Sequence, residues 1–163
     1  MSSYVEEYEV GKPFPLSPGR TISEADINLF AGLVGDFTPI HVDANYAGKT
    51  QFGGRIAHGT LTMSTAIGLL TQLNLLGEGV IALLNLNFDF KGVVMIGDTI
   101  YARSKVLGKR ESASRPYAGI VEVQTEGFNQ DGAIVLTFRR KLMVYRQGHA
   151  PGAQLPVPVN SAL

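Results

Sequence analysis

Hydrophobic periodicity divides the chain into a helical first half and a stranded second half. In "TISEADINLFAGLVGD" the apolar residues Ile27, Phe30, Ala31 and Val34 recur at three- and four-residue spacing, which predicts an amphipathic helix. Ser23 is its cap, Asp26 follows as a shorter relative of the capping-box glutamate, and Gly35 ends the run. "DANYAGKT" offers Asp43 as a second cap and predicts about two helical turns. From Gly59 to Leu76 the apolar positions fall nearly all round: Leu61, Met63, Ala66, Ile67, Leu69, Leu70, Leu73, Leu75 and Leu76. That pattern predicts a helix buried on most sides, on the order of 27 Å long. Gly77 is its stop signal.

After this helix the period changes to two. "VIALLNLNFDF" alternates through Leu84, Leu86, Phe88 and Phe90, and "DTIYARSKVLG" follows a turn at Gly97–Asp98. "AGIVEVQTEGFNQ" and "AIVLTFRRKLMVYR" flank Asp131–Gly132, a hairpin signal. "KRESASR", Lys109 to Arg115, reads as a mixed surface turn. Several long strands after one buried helix predict an α+β fold, with an antiparallel sheet wrapped on that helix. Residues 1–147 form one domain on this reading. "GHAPGAQLPVPVNSAL" loses the alternation, so residues 148–163 read as a flexible tail.

Composition narrows the class of protein. With 163 residues, 45% apolar and 17% charged, the chain can bury a sizeable core. Fourteen basic residues balance fourteen acidic ones, so no global field favours nucleic acid or an anionic membrane. The absence of cysteine excludes a disulfide framework, a thiolate zinc site and a cysteine nucleophile. The first residues carry acids and no apolar core, unlike a signal peptide, and the apolar helix is interrupted by polar residues, unlike a membrane span. A soluble cytoplasmic protein is expected, with neither membrane nor nucleic acid as partner.

The candidate chemistry lies in "VGDFTPIHVD", where Asp36 and His41 flank a proline. Proline pushes Thr38 out of the helical region, so the stretch reads as a bent loop on which the two groups can converge. From the residues alone two readings stand: an acid–base pair, or an aspartate capping its own turn beside a packed histidine. His58 opens the buried helix, where a histidine also serves as a cap or packing residue, and His149 lies in the tail. His41 and Asp43 are too few for a metal site, so no metal is expected. "AGKT" lacks the first glycine of a phosphate-binding loop and is set aside.

"GDFTPIHVD" is similar to the signature of the MaoC-like dehydratase and (R)-specific enoyl-CoA hydratase family, usually Gly-Asp-x-Asn-Pro-hydrophobic-His-x-Asp. "YAGKTQFGGRIAHGTLTMS" and "LNLNFDFKGVVMIGDTIYARSKV" resemble that family's next two blocks, in order and spacing, from about Ser23 to Tyr145. The resemblance implies the hot-dog fold, and reversible addition of water to a trans-2-enoyl thioester of CoA or an acyl-carrier protein. It implies Asp36 and His41 as the catalytic dyad, and Gly59 as the glycine whose N–H receives the thioester oxygen. Thr38, Phe52, Gly53 and His58 become substrate-binding candidates, no cofactor is called for, and the site lies near the interface of a homodimer or higher oligomer. Thr38 stands where the family commonly has asparagine, and a tuned substrate preference is the reading taken. A hot-dog thioesterase and a non-catalytic acyl-thioester-binding protein are the alternatives.

Overall fold

The computed structural model describes residues 4–73 and 79–151. After a short 3-10 turn at Val5–Glu7, the chain forms β1 (Arg20–Thr21), α1 (Glu24–Val34), α2 (Pro39–Val42), α3 (Ala44–Ala47) and α4 (Gly59–Thr71). It then runs through β2 (Val80–Phe90), β3 (Thr99–Glu111), β4 (Ala118–Phe128) and β5 (Ile134–Tyr145). The strands build one antiparallel sheet in the order β1-β3-β4-β5-β2.

The two-residue period of the strands shows in their burial. Ile100, Ala102, Ser104 and Val106 of β3, with Leu136, Phe138, Arg140, Leu142 and Val144 of β5, point to one buried face. Against part of that face α4 lays Leu61, Ala66, Leu69 and Leu70, in a cluster with Ile100, Ala102, Leu136 and Phe138. Fully buried side chains such as Leu69 and Leu70 contribute roughly 1.5–3 kcal/mol each. Val5 and Tyr8 cover the rest of the face, against Val106, Val121, Val123, Leu142 and Val144. A sheet curled over one central helix is the α+β hot-dog arrangement.

The N-terminal segment also seals one edge of the sheet. Gly11 N–H donates to Val106 O at 2.8 Å, Phe14 N–H to Ser104 O at 2.8 Å and Ser17 N–H to Ala102 O at 3.0 Å. The prolines at 13 and 15 fall between these donors, where no N–H is needed, and Pro18 follows the last of them. At the other edge, among the described residues, β2 pairs only with β5, and its outer side is open.

Several local readings hold and several change. Ser23 Oγ accepts from Asp26 N–H at 3.2 Å while Asp26 Oδ2 accepts from Ser23 N–H at 2.8 Å, a complete capping box. Gly132 has φ 78°, as the hairpin turn requires. Asp43 caps α3 through Tyr46 N–H at 2.9 Å, but that helix has one turn of four residues instead of about two. The Pro39 stretch is not all loop: a one-turn helix starts at the proline, whose missing N–H costs nothing there. Val34 is 52% exposed, so α1 turns Ile27 and Ala31 inward and presents its last apolar residue to solvent. Lys109 to Glu111 belong to β3, so the turn expected there begins later, at Ser112.

The central helix spans thirteen residues, and its two sides differ: Thr60, Ser64 and Thr71 are exposed. Leu75, Leu76 and the stop at Gly77 lie outside the described residues, as does the expected tail from residue 152 onward. The alternation in β2 does not produce a buried face. Register shifts at Val80/Ala82 and Leu83/Asn85 break it, and Leu83, Leu84, Phe88 and Phe90 are 40–50% exposed beside the open edge. Among the described residues no helix is long and apolar enough to cross a membrane.

Candidate active site

Gly35 closes α1 with φ 75°, a left-handed turn that glycine adopts without strain, and its N–H donates to Ala31 O at 2.8 Å. The chain reverses there and delivers Asp36. Its Oδ1 accepts from the Thr38 hydroxyl at 2.6 Å and from Thr38 N–H at 3.2 Å. The Thr38 hydroxyl, then its N–H, hold the exposed Asp36 carboxyl below the ordinary aspartate range, with His58 and His41 adding smaller attractions. Asp36 thus closes its own turn, and that turn favours its ionised form.

Thr38 has ψ 129°, outside the helical region as a residue before proline is, and α2 then carries His41. The Ile56 carbonyl can only accept, so His41 Nδ1–H donates to it at 2.8 Å and Nε2 is left to accept or donate a proton. The Asp36 carboxylate and the rings of His41 and His58 bring donor atoms within 4.8 Å of one another.

His58 stands behind this pair. It is 1% exposed, its Nε2–H donates to the Asp36 backbone carbonyl at 3.0 Å, and its Nδ1 is buried without a partner. Its ring stacks on His41 at 3.9 Å and 27°, with Phe30 at 5.1 Å. A ring so enclosed packs behind Asp36 and His41. Three donor groups this close could be read as a metal set. Each histidine, however, already has one nitrogen on a backbone carbonyl, and the second His58 nitrogen is sealed. Asp36 and His41 Nε2 are the groups left for a ligand, and they suit proton transfer.

Gly59 is the first residue of α4, where backbone N–H groups have no partner inside the helix; Thr62 N–H to His58 O at 3.1 Å is the first turn's bond. Phe52 and Gly53 form the turn after α3. Gly53 N–H donates to Thr50 O at 3.1 Å and Phe52 N–H to Thr50 Oγ1 at 3.3 Å, so their bonds stay within that turn.

Two residues were not picked out by sequence. Phe90 lays its ring against Gly59, and its only signal was an aromatic at the end of an alternating strand. Arg55 is buried between His41 and α1; its signal was a lone charge in "GGRIAHG".

The MaoC like domain model matches residues 6–127, and the chain belongs to this family. It is 43% identical over 105 residues to the (R)-specific enoyl-CoA hydratase of Rhodospirillum rubrum, covering 64% of this chain and 70% of that protein. To the (R)-specific enoyl-CoA hydratase of Aeromonas caviae it is 36% identical over 132 residues, 81% of this chain and 92% of that protein. The crystal structure of the MaoC-like dehydratase from Rhodospirillum rubrum superposes with a TM-score of 0.79 at 31% identity, over 88% of this chain and 97% of that one.

Thr38 offers a direct check on the site's electrostatics. A bond to the ionised carboxylate lowers its pKa, so Thr38→Val should raise it and move the acid limb of the kcat/KM profile to higher pH. The stabilisation from this turn is present above the ordinary aspartate value and lost as pH falls through the lowered one. Thr38→Asn keeps a donor, so the limb should stay while the ranking of acyl substrates changes. An acid limb unmoved in Thr38→Val would show that the hydroxyl does not control Asp36.

Proposed function

We propose that the protein is a hydratase/dehydratase that adds water reversibly to a trans-2-enoyl-CoA, or the matching carrier-protein thioester, to give an (R)-3-hydroxyacyl thioester. The observation that carries this reading is an Asp36 held ionised beside the free Nε2 of His41, at the N-terminus of α4. The chain's likeness to two proteins named (R)-specific enoyl-CoA hydratase supports it.

The Asp36 carboxylate takes a proton from water as the water oxygen bonds to C3. The C2=C3 electrons move toward the thioester oxygen, where the Gly59 N–H stabilises the developing charge. The proton on Asp36 passes to the free His41 Nε2, and C2 takes it from there, which restores both groups. Thr38 favours the charged form of Asp36, while Phe52 and Gly53 are assigned to substrate on the resemblance alone. Residues 1–147 act as one domain, and a cytoplasmic location belongs to the same reading, with which a chain free of cysteine is compatible.

A second copy of the chain is the partner that fits the open edge of β2. Exposed Leu83, Leu84 and Phe88 line that strand, and strand pairing would cover them. Phe90, on the same strand, touches Gly59, so this interface would border the site.

Crotonyl-CoA tests the whole reading. Its conjugated absorbance should fall without release of a free thiol, and the product should be the (R) enantiomer, made by a species that sediments as at least a dimer. Thiol release in step with substrate loss would establish a thioesterase. Saturable binding without turnover would establish a binding protein. An active monomer would remove the second copy from the site.

A further inference from the structure

Arg55 is a charged side chain that is 8% exposed, yet nothing in the proposed reaction uses it. Its guanidinium spends three separate donors on two elements. Nε–H donates to the His41 backbone carbonyl at 2.6 Å, one Nη group to Asn28 Oδ1 at 2.5 Å and the other to Glu24 Oε1. Asn28 and Glu24 lie on α1, whose C-terminal end leads into Asp36, and His41 lies on α2.

The backbone around Arg55 is itself anchored. Ile56 forms a bridge to Met95, Ala57 N–H donates to Val94 O at 2.8 Å, and Ile56 N–H donates to Ile40 O at 3.3 Å. The next carbonyl along, that of Ile56, receives His41 Nδ1–H. His41 is therefore gripped at both ends by consecutive residues, its carbonyl by the Arg55 side chain and its ring by the Ile56 backbone.

We infer that Arg55 is a positioning residue for the dyad. It ties α1 and α2 to one fixed point and so sets the separation of the Asp36 carboxylate from His41 Nε2. The inference rests on the proposed hydration reaction, but its geometric content does not. Arginine suits the task because its planar fork reaches three acceptors in different directions, while the single ammonium of lysine keeps the charge and loses the fork. The ion pair itself contributes little, since Glu24 is 63% exposed and solvent screens it. The neutral acceptors, His41 O and Asn28 Oδ1, carry the geometry.

Arg55→Lys should lower kcat on the order of 10²-fold, the scale for displacing reacting groups by about an ångström, with KM nearly unchanged because Arg55 does not touch substrate. In the unligated protein, NMR should show the His41 Nδ1–H resonance in wild type and lose it to exchange in Arg55→Lys, with the fold retained by circular dichroism. Glu24→Gln keeps an acceptor and should behave as wild type. Asn28→Ala should shift kcat and the ring resonance in the same direction as Arg55→Lys, by less, and it decides the matter if Arg55→Lys does not fold. Unchanged kcat together with an unchanged His41 resonance in a folded variant would overturn the assignment. Were the wild type to show no hydration at all, the proposed reaction would fail while the ring resonance still tested the positioning.

Discussion

Asp36→Asn should lower kcat for hydration by at least about 10²-fold, and kcat/KM with it, while leaving the fold intact. Asparagine keeps the oxygen that receives the Thr38 N–H and hydroxyl, so the turn persists and only the charge is lost. His41→Ala should cost at least as much. It removes Nε2 and also the bond to Ile56 O and the stack on His58, so a stability loss of about 1 kcal/mol should accompany it. The double variant should be little slower than the worse single variant, because both groups act on one water molecule. Losses that multiply would show that Asp36 and His41 act independently, and the proton relay between them would be wrong. Stopped assays with one enoyl-CoA, read alongside thermal unfolding, separate these outcomes.

What the sequence displayed of this fold depended on how local the causes are. The Ser23–Asp26 box, the Gly35 stop, the Asp43 cap and the Asp131–Gly132 turn each need only a few neighbouring residues, and each was legible. So was the alternation in β3, β4 and β5, whose buried positions face α4 and the N-terminal segment. β2 carried the same pattern and came out exposed, because burial there depends on what lies beyond its open edge, and pattern does not encode that. At the site, the Asp36–His41 pair was visible as spacing, and Gly59 as the start of a helix. The support behind them was not. Arg55 reaches 27 residues back to Asn28, and Phe90 meets Gly59 across the fold, contacts that only the assembled chain creates. His58 illustrates the middle case. Its helix-opening position was plain, but its enclosure between His41 and Phe30 was not.

Gly59 gives the second large effect. It is absent from the glycines with positive φ, so its backbone does not demand glycine. Phe90 does: a Cβ at position 59 would fall 2.5 Å from the ring Cζ and 2.7 and 2.9 Å from Cε1 and Cε2. Gly59→Ala must push that ring outward, at modest cost because Phe90 is 49% exposed, and should impair turnover by disturbing the mouth of the site. Adding Phe90→Ala removes the obstruction and leaves the Gly59 N–H in place, so Gly59→Ala/Phe90→Ala is the proper reference. Gly59→Pro/Phe90→Ala differs from it chiefly in lacking the N–H. Proline is tolerated at a first helical position, and His58, with ψ 136°, already has the backbone that precedes one. Loss of a donor to the thioester oxygen should then lower kcat by about 10²–10³-fold relative to the reference, with little change in unfolding temperature. Equal kcat in the two double variants would show that the enolate is stabilised elsewhere, and that glycine stands at position 59 only to make room for Phe90.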